Sequence, residues 1–149
     1  MNTSAITIRS PTPEDSQRIS TLLAELGYPA EPGAIPQRLE ALAAYPKAAT
    51  LVAAVGNRVC GVITGHIIPS IHAAEPVAWI TSLVVASDVR GMGVGSTLVS
   101  EIEKWARANG AVRVSVTSGS ARERAHSFYE RRGYERSGLR FTRTLSPDE

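Results

Sequence analysis

The chain has 149 residues, of which 43% are hydrophobic, 20% charged and 5% aromatic. That is enough apolar material for one core and not for two, so a single domain spanning residues 1–149 is expected. Sixteen Lys and Arg against fourteen Asp and Glu leave a formal charge of +2, with too few charges and too many aliphatics for a disordered chain.

The positive charge is local. Residues 1–75 carry five Lys/Arg and six Asp/Glu, whereas residues 122–143 carry seven Arg and three Glu. No aromatic-interleaved motif accompanies those arginines, so a nucleic-acid partner is not expected. The longest uncharged stretch, residues 59–74, is interrupted by Gly61, Gly65 and Pro69 and falls short of the roughly 18 to 20 apolar residues of a membrane helix. Residues 1–13 lack the pattern of a signal peptide, and a cytoplasmic location is expected. Cys60 has no partner for an internal disulfide, and with His66, His72 and His126 it makes no spaced set of metal ligands. It is expected to be a buried, inert thiol, with no metal site.

Ile6-Thr7-Ile8-Arg9 alternates apolar and polar residues, as a half-buried strand does (β1, residues 5–9). Thr12 as N-cap, Pro13 at the first helical position, and Ile19, Leu22, Leu23 and Leu26 on one face predict a helix (α1, residues 13–26) that Gly27 stops. After a Pro/Gly loop, Leu39 and Leu42 suggest a second helix (α2) ending before Pro46. Two β-branched runs flank Gly56-Asn57 as a hairpin (β2, residues 50–55; β3, residues 59–68). Residues 77–85 (β4) carry no charge, which predicts burial on both faces near the middle of a sheet.

From Gly95, Leu98, Val99, Ile102, Trp105 and Ala106 keep helical spacing (α3) until Asn109-Gly110. Residues 112–117 (β5) follow as a strand and residues 121–132 (α4) as a helix closed by Gly133. Leu139, Phe141 and Leu145 suggest a terminal strand pair (β6, β7). The expected fold is α/β, a mixed and mostly antiparallel sheet in the order β1-α1-α2-β2-β3-β4-α3-β5-α4-β6-β7, with helices on both faces. Trp79 and Trp105 are expected in the core, His66 packed within its strand and His126 in a packing or capping role.

Chemistry concentrates in Arg90-Gly91-Met92-Gly93-Val94-Gly95-Ser96, where a buried strand passes into an amphipathic helix. Glycines permit close backbone approach, free N–H groups point off a helix start, and the helix dipole adds positive charge. A Walker loop needs Gly-Lys-Ser/Thr after the second glycine, and a dinucleotide fingerprint needs a third glycine where Ser96 stands. Both patterns fail, which leaves a pyrophosphate cradle of another type.

Arg90-x-x-Gly93-x-Gly95 after the strand end Leu83-Val84-Val85 resembles the GNAT superfamily of acetyl-CoA-dependent N-acetyltransferases. A second segment, Ala125-x-x-Phe128-Tyr129-x-x-x-Gly133-Tyr134, is similar to that superfamily's Ala-x-x-Phe-Tyr-x-x-x-Gly-Phe/Tyr pattern. The resemblance implies acetyl-CoA with its pyrophosphate on the N–H groups of Gly91, Met92, Gly93, Val94, Gly95 and Ser96, beside Arg90. It implies the pantetheine arm along Leu83, Val84 and Val85, where a β-bulge would free one N–H to polarise the thioester carbonyl.

The resemblance also makes Tyr129 the proton donor to the departing thiolate. Many relatives carry an acidic base on the fourth strand, where this chain has Thr81 and Ser82. Hydroxyls do not act as bases near neutral pH, so Ser82 is expected to orient a water whose proton Glu75 or His72 receives. Arg122 stands where relatives often have an Asn on the pantetheine and is expected to meet a phosphate instead. The implied acceptor is a primary amine on a small molecule such as an aminoglycoside, polyamine or amino-acid-like compound, in a pocket lined by Tyr28, Glu31 and Glu75. Peptide or protein N-acetylation and a non-catalytic acyl-CoA sensor are the alternatives, and the resemblance allows a homodimer through the terminal strands.

Overall fold

A computed structural model describes residues 5–117 and 123–147. The chain divides into two compact units, Met1–Ser115 and Val116–Glu149. In the first, β1 (Ile6–Arg9), β2 (Ala48–Val55), β3 (Arg58–Ile68) and β4 (Val77–Val85) form an antiparallel run in sequence order, with β5 (Val114–Val116) on the far side of β4. Val112 N–H donates to Pro76 O at 3.2 Å and Ala78 N–H to Arg113 O at 2.9 Å. Both registers rise together, so the chain enters β5 parallel to β4. The class is therefore the expected α/β sheet, mostly antiparallel.

Three helices pack on this sheet: α1 (Ser16–Leu26), α2 (Ile35–Ala44) and α3 (Val94–Ala108). Residues of β3 alternate between two covered faces. A Cβ built on Gly61 would lie 2.9 Å from Leu98 Cδ1 and 3.0 Å from Val94 Cγ1, and one on Gly65 would lie 3.3 Å from Ile102 Cδ1. Odd-numbered residues here thus face α3, and the missing side chains let that helix settle close to the sheet. The even-numbered Val62 is buried on the opposite face, and α1 also packs on β3, so both faces carry helices. Gly61→Val should destabilise the fold by about 1–3 kcal/mol, the ordinary cost of overpacking, visible as a lowered urea midpoint. An unchanged midpoint would mean that α3 does not rest on that residue.

The start of α1 is tied to β1 by one buried carboxylate. Asp15, 7% exposed, accepts hydrogen bonds from Arg9 Nη1 and Nη2 at 2.8 and 3.0 Å and from the Thr12 N–H at 2.7 Å. The Arg9 guanidinium holds its carboxyl below the usual carboxylate range, against the upward push of burial. The folded value lies below the unfolded one, so the stability is complete above the unfolded pKa and is lost as pH falls through the folded value. Asp15→Asn should cost about 1–2 kcal/mol at pH 7, and the difference from wild type should shrink under acid. Urea titrations at pH 7 and in the acid range check both; equal midpoints at pH 7 would refute the expectation.

Cys60 is buried and its thiol is pushed up by burial, the inert cysteine expected. In the second unit α4 (Glu123–Arg131) ends at Gly133, φ +90°. Tyr134 N–H bonds to Tyr129 O and Gly133 N–H to Glu130 O, each at 3.0 Å, a Schellman closure.

Three expectations are corrected. Residues 134–146 form no strand among the described residues, and Leu139, Phe141 and Leu145 are 85%, 88% and 76% exposed. Alternation says which face a strand would bury but supplies no neighbour to bond with, and β6 and β7 have none here. Strand β5 is three residues long rather than six. Trp79 is 37% exposed, because its pairing with His66 sets it on the sheet face away from α3. Trp105 does pack on the cluster of Ile67, Ala78 and Ala106.

Candidate active site

The turn between β4 and α3 has the local geometry of an anion cradle. Gly91 and Gly93 have φ of +89° and +86°, a region that L side chains adopt only at a cost of about 1–2 kcal/mol, and no atom lies within 4 Å of a Cβ built on either. Conformation and open space above the turn, not crowding, therefore require glycine. Gly93 caps α3, with no side chain bonded across the cap. The first intrahelical bond runs from Thr97 N–H to Gly93 O at 3.0 Å. The amides of Val94, Gly95 and Ser96 precede it and have no acceptor inside the helix, while the Val94 side chain is buried and anchors the turn. Arg90, Gly91 and Met92 are exposed beside them. Ser87 N–H donates to Glu25 Oε1 at 3.2 Å, tying this turn to α1.

Upstream, β4 carries a bulge, but two residues before Leu83, Val84 and Val85, where one was expected. Ser82 pairs with Thr64 and Ile80 with Gly65, so Thr81 is the extra residue. Leu83, Val84 and Val85 pair with Ile63, Val62 and Gly61 along one edge. The register of β5 sets its three residues beside the first half of β4, leaving Leu83, Val84 and Val85 beyond its end.

Around the bulge a polar strip lies on the face away from α3. Thr64 stands between Thr50 and Ser82, with the Thr50 and Thr64 hydroxyls 3.2 Å apart. His66 stands between Ala48 and Trp79. The Thr81 hydroxyl lies 3.4 Å from both Thr64 O and His66 Nδ1, and the Tyr45 ring meets the His66 ring edge-on at 5.9 Å. Ser82 thus belongs to a group of hydroxyls. Glu75 does not: it lines a cavity of about 270 Å³ with Lys47, Ile67 and Asn109 at the other end of β4. At about 3.3 Å per residue it is on the order of 20 Å along the chain from the bulge. His72, Tyr28 and Glu31 are exposed, and Arg122 lies outside the described residues.

Over residues 17–134 the chain matches the acetyltransferase (GNAT) family. It belongs to that family. The GNAT match takes in every element from α1 to the turn after α4. Among curated GNAT relatives, the aminoalkylphosphonate N-acetyltransferase of Salmonella typhimurium is 37% identical over 89 residues, 60% of this chain and 58% of that protein. The chain thus spans little more than half of that relative's length.

The fold matches solved structures along nearly the whole chain. A transcriptional regulator from Bacillus halodurans aligns with a TM-score of 0.86 at 23% identity, covering 95% of this chain and 100% of the other. The aminoglycoside N-acetyltransferase AAC(6′)-Iy in complex with CoA aligns at 0.84 and 16%, covering 97% and 98%. No helix among the described residues is long and apolar enough to cross a membrane.

In the second unit, α4 holds the other motif of this GNAT chain. Tyr129 is half-buried, with its ring 5.3 Å from that of Phe128 and 5.7 Å from that of Tyr134. The position of the bulge and the grouping of His66 with the hydroxyls around it are not legible in the sequence. A bulge follows from how two strands register, and an uncharged β-branched run carries no sign of where one residue is left over.

Proposed function

We propose that the protein is an N-acetyltransferase moving the acetyl group of acetyl-CoA to a primary amine of a small molecule. One observation carries this: an α3 start with three amides unbonded within the helix, opened by two left-handed glycines, directly follows a bulged strand whose last residues extend past β5. The amides of Gly91 and of residues 93–96 and the Arg90 guanidinium suit a diphosphate, whereas Met92 N–H already donates to Val89 O at 3.2 Å. Leu83, Val84 and Val85 offer backbone groups to an amide-bearing arm. Tyr129 protonates the departing sulfur, and Ser82 orients a water. Arg122 meets a phosphate.

The family match crosses the boundary between the two units, which supports one acyltransferase domain. We place the protein in the cytoplasm, where acetyl-CoA is consumed. Membership of a family with an aminoalkylphosphonate N-acetyltransferase and the fold of an aminoglycoside N-acetyltransferase support a small, polar amine as acceptor.

The test is calorimetry with acetyl-CoA followed by CoA release on a panel of an aminoalkylphosphonate, an aminoglycoside, a polyamine and a peptide with a free N-terminus. Binding with release on one of the first three is the expected result. Release on the peptide alone would make it a peptide acetyltransferase, and binding without release a sensor. No binding would overturn the assignment.

A further inference from the structure

We propose that His66 is the group that takes the proton from the acceptor amine, a role that rests on the acetyltransferase reading above. An ammonium has no lone pair, so a protonated amine must lose a proton before its nitrogen can form the bond to the acyl carbon as the C–S bond breaks and its electron pair leaves on sulfur. The positions on β4 where a carboxylate would serve hold Thr81 and Ser82, neither of which is a base near neutral pH. Imidazole is the side chain that changes charge there, and one imidazole stands at the bulge.

Its surroundings select one nitrogen. The Thr81 hydroxyl has a single proton and two lone pairs. We assign that proton to Thr64 O, which lies 3.4 Å away and can only accept; the assignment leaves a lone pair toward His66 Nδ1, also at 3.4 Å. His66 then carries its proton on Nδ1 and presents a bare Nε2. The site is reachable: His66 is half-buried, Thr81, Tyr45 and Trp79 are exposed, and the two aromatic rings give an amine carrier flat apolar walls and a surface for its positive charge.

Among the described residues of the first unit, few groups face the ring. From the end of α2 comes the Tyr45 phenol. From β2 and β4 come Ala48, Trp79 and Thr81, which do not titrate near neutrality. Lys47, next in the chain, instead lines the cavity that Glu75 and Asn109 share.

The test is steady-state kinetics of His66→Gln and Thr81→Val across pH with the best amine of the panel, alongside calorimetry with acetyl-CoA. His66→Gln is expected to lose about 10²-fold in kcat with KM and acetyl-CoA affinity within about threefold. The acidic limb of its kcat/KM profile should flatten. Thr81→Val, which keeps the imidazole, is expected to lose about tenfold and keep the limb. Independently of any variant, ¹⁵N spectra of wild-type imidazoles are expected to show His66 protonated on Nδ1.

A wild-type limb in His66→Gln, an unchanged rate, or an Nε2-protonated tautomer would overturn the role of His66 alone. A wild type that acetylates no amine of the panel would overturn the acetyltransferase reading and this role with it.

Discussion

Tyr129→Phe is expected to lower kcat by about 10²- to 10⁴-fold, the range that positioned acid catalysis contributes, with the melting temperature and acetyl-CoA affinity near wild type. The substitution removes one oxygen and keeps the ring. Ring contacts with Phe128 at 5.3 Å and Tyr134 at 5.7 Å help to place Tyr129, and the Schellman closure of α4 uses its backbone carbonyl. These ring and backbone contacts survive in the variant, which lacks only the hydroxyl. A thiolate leaving without a proton donor raises the barrier for C–S cleavage, so the loss should fall on kcat rather than on binding. Single-turnover CoA release measures it. Wild-type turnover in Tyr129→Phe at several pH values would leave the tyrosine as a packing residue and nothing more.

Gly93→Val is expected to raise the Kd for acetyl-CoA by about 10²-fold, equivalent to about 2.7 kcal/mol. Two effects add. A β-branched residue at φ +86° is forced out of its preferred backbone region, at about 1–2 kcal/mol, and relieves that strain by rotating the amides next to it. Its methyl groups also stand in the open space over the turn, where an anion would reach the amides of Val94, Gly95 and Ser96. Because that space is empty of protein, the fold should survive with only the strain as penalty. Gly93→Ala, which shares the strain but fills less space, should fall between the two. Calorimetry with acetyl-CoA and a thermal melt separate affinity from stability; Gly93→Val with wild-type affinity would remove the turn from ligand binding.

Much of this was legible in the chain because its signals are local. Thr12, Pro13 and Gly27 bracket α1, Gly56-Asn57 closes the β2–β3 hairpin, and the cradle lies between an uncharged strand and an amphipathic helix. Each depends on a few adjacent residues whose backbone preferences act before any tertiary contact forms. Cys60 was read correctly for the same reason, being an apolar neighbour in an apolar run.

What stayed hidden depends on pairing across the sheet. His66 reads as one more strand residue until the register sets it opposite Trp79 and the bulge turns Thr81 toward it. Trp79 was expected in the core because β4 bears no charge, yet absence of charge does not say which face a neighbour covers. Leu139 and Phe141 alternate as a strand would, but alternation is also met by an extended segment with no partner. Glu75 was selected by chemistry and nearness in sequence to β4, and the run of the strand carries it to the end away from the bulge.

The bare floor that Gly61 and Gly65 make under α3 has a consequence for how the ligand is met. The Val94 and Leu98 side chains close directly over the Gly61 backbone, so no side chain of that residue separates the helix start from β3. Cradle amides arrayed in advance would let the proposed capture of an anion surrender little conformational entropy, so that affinity would come from preorganisation.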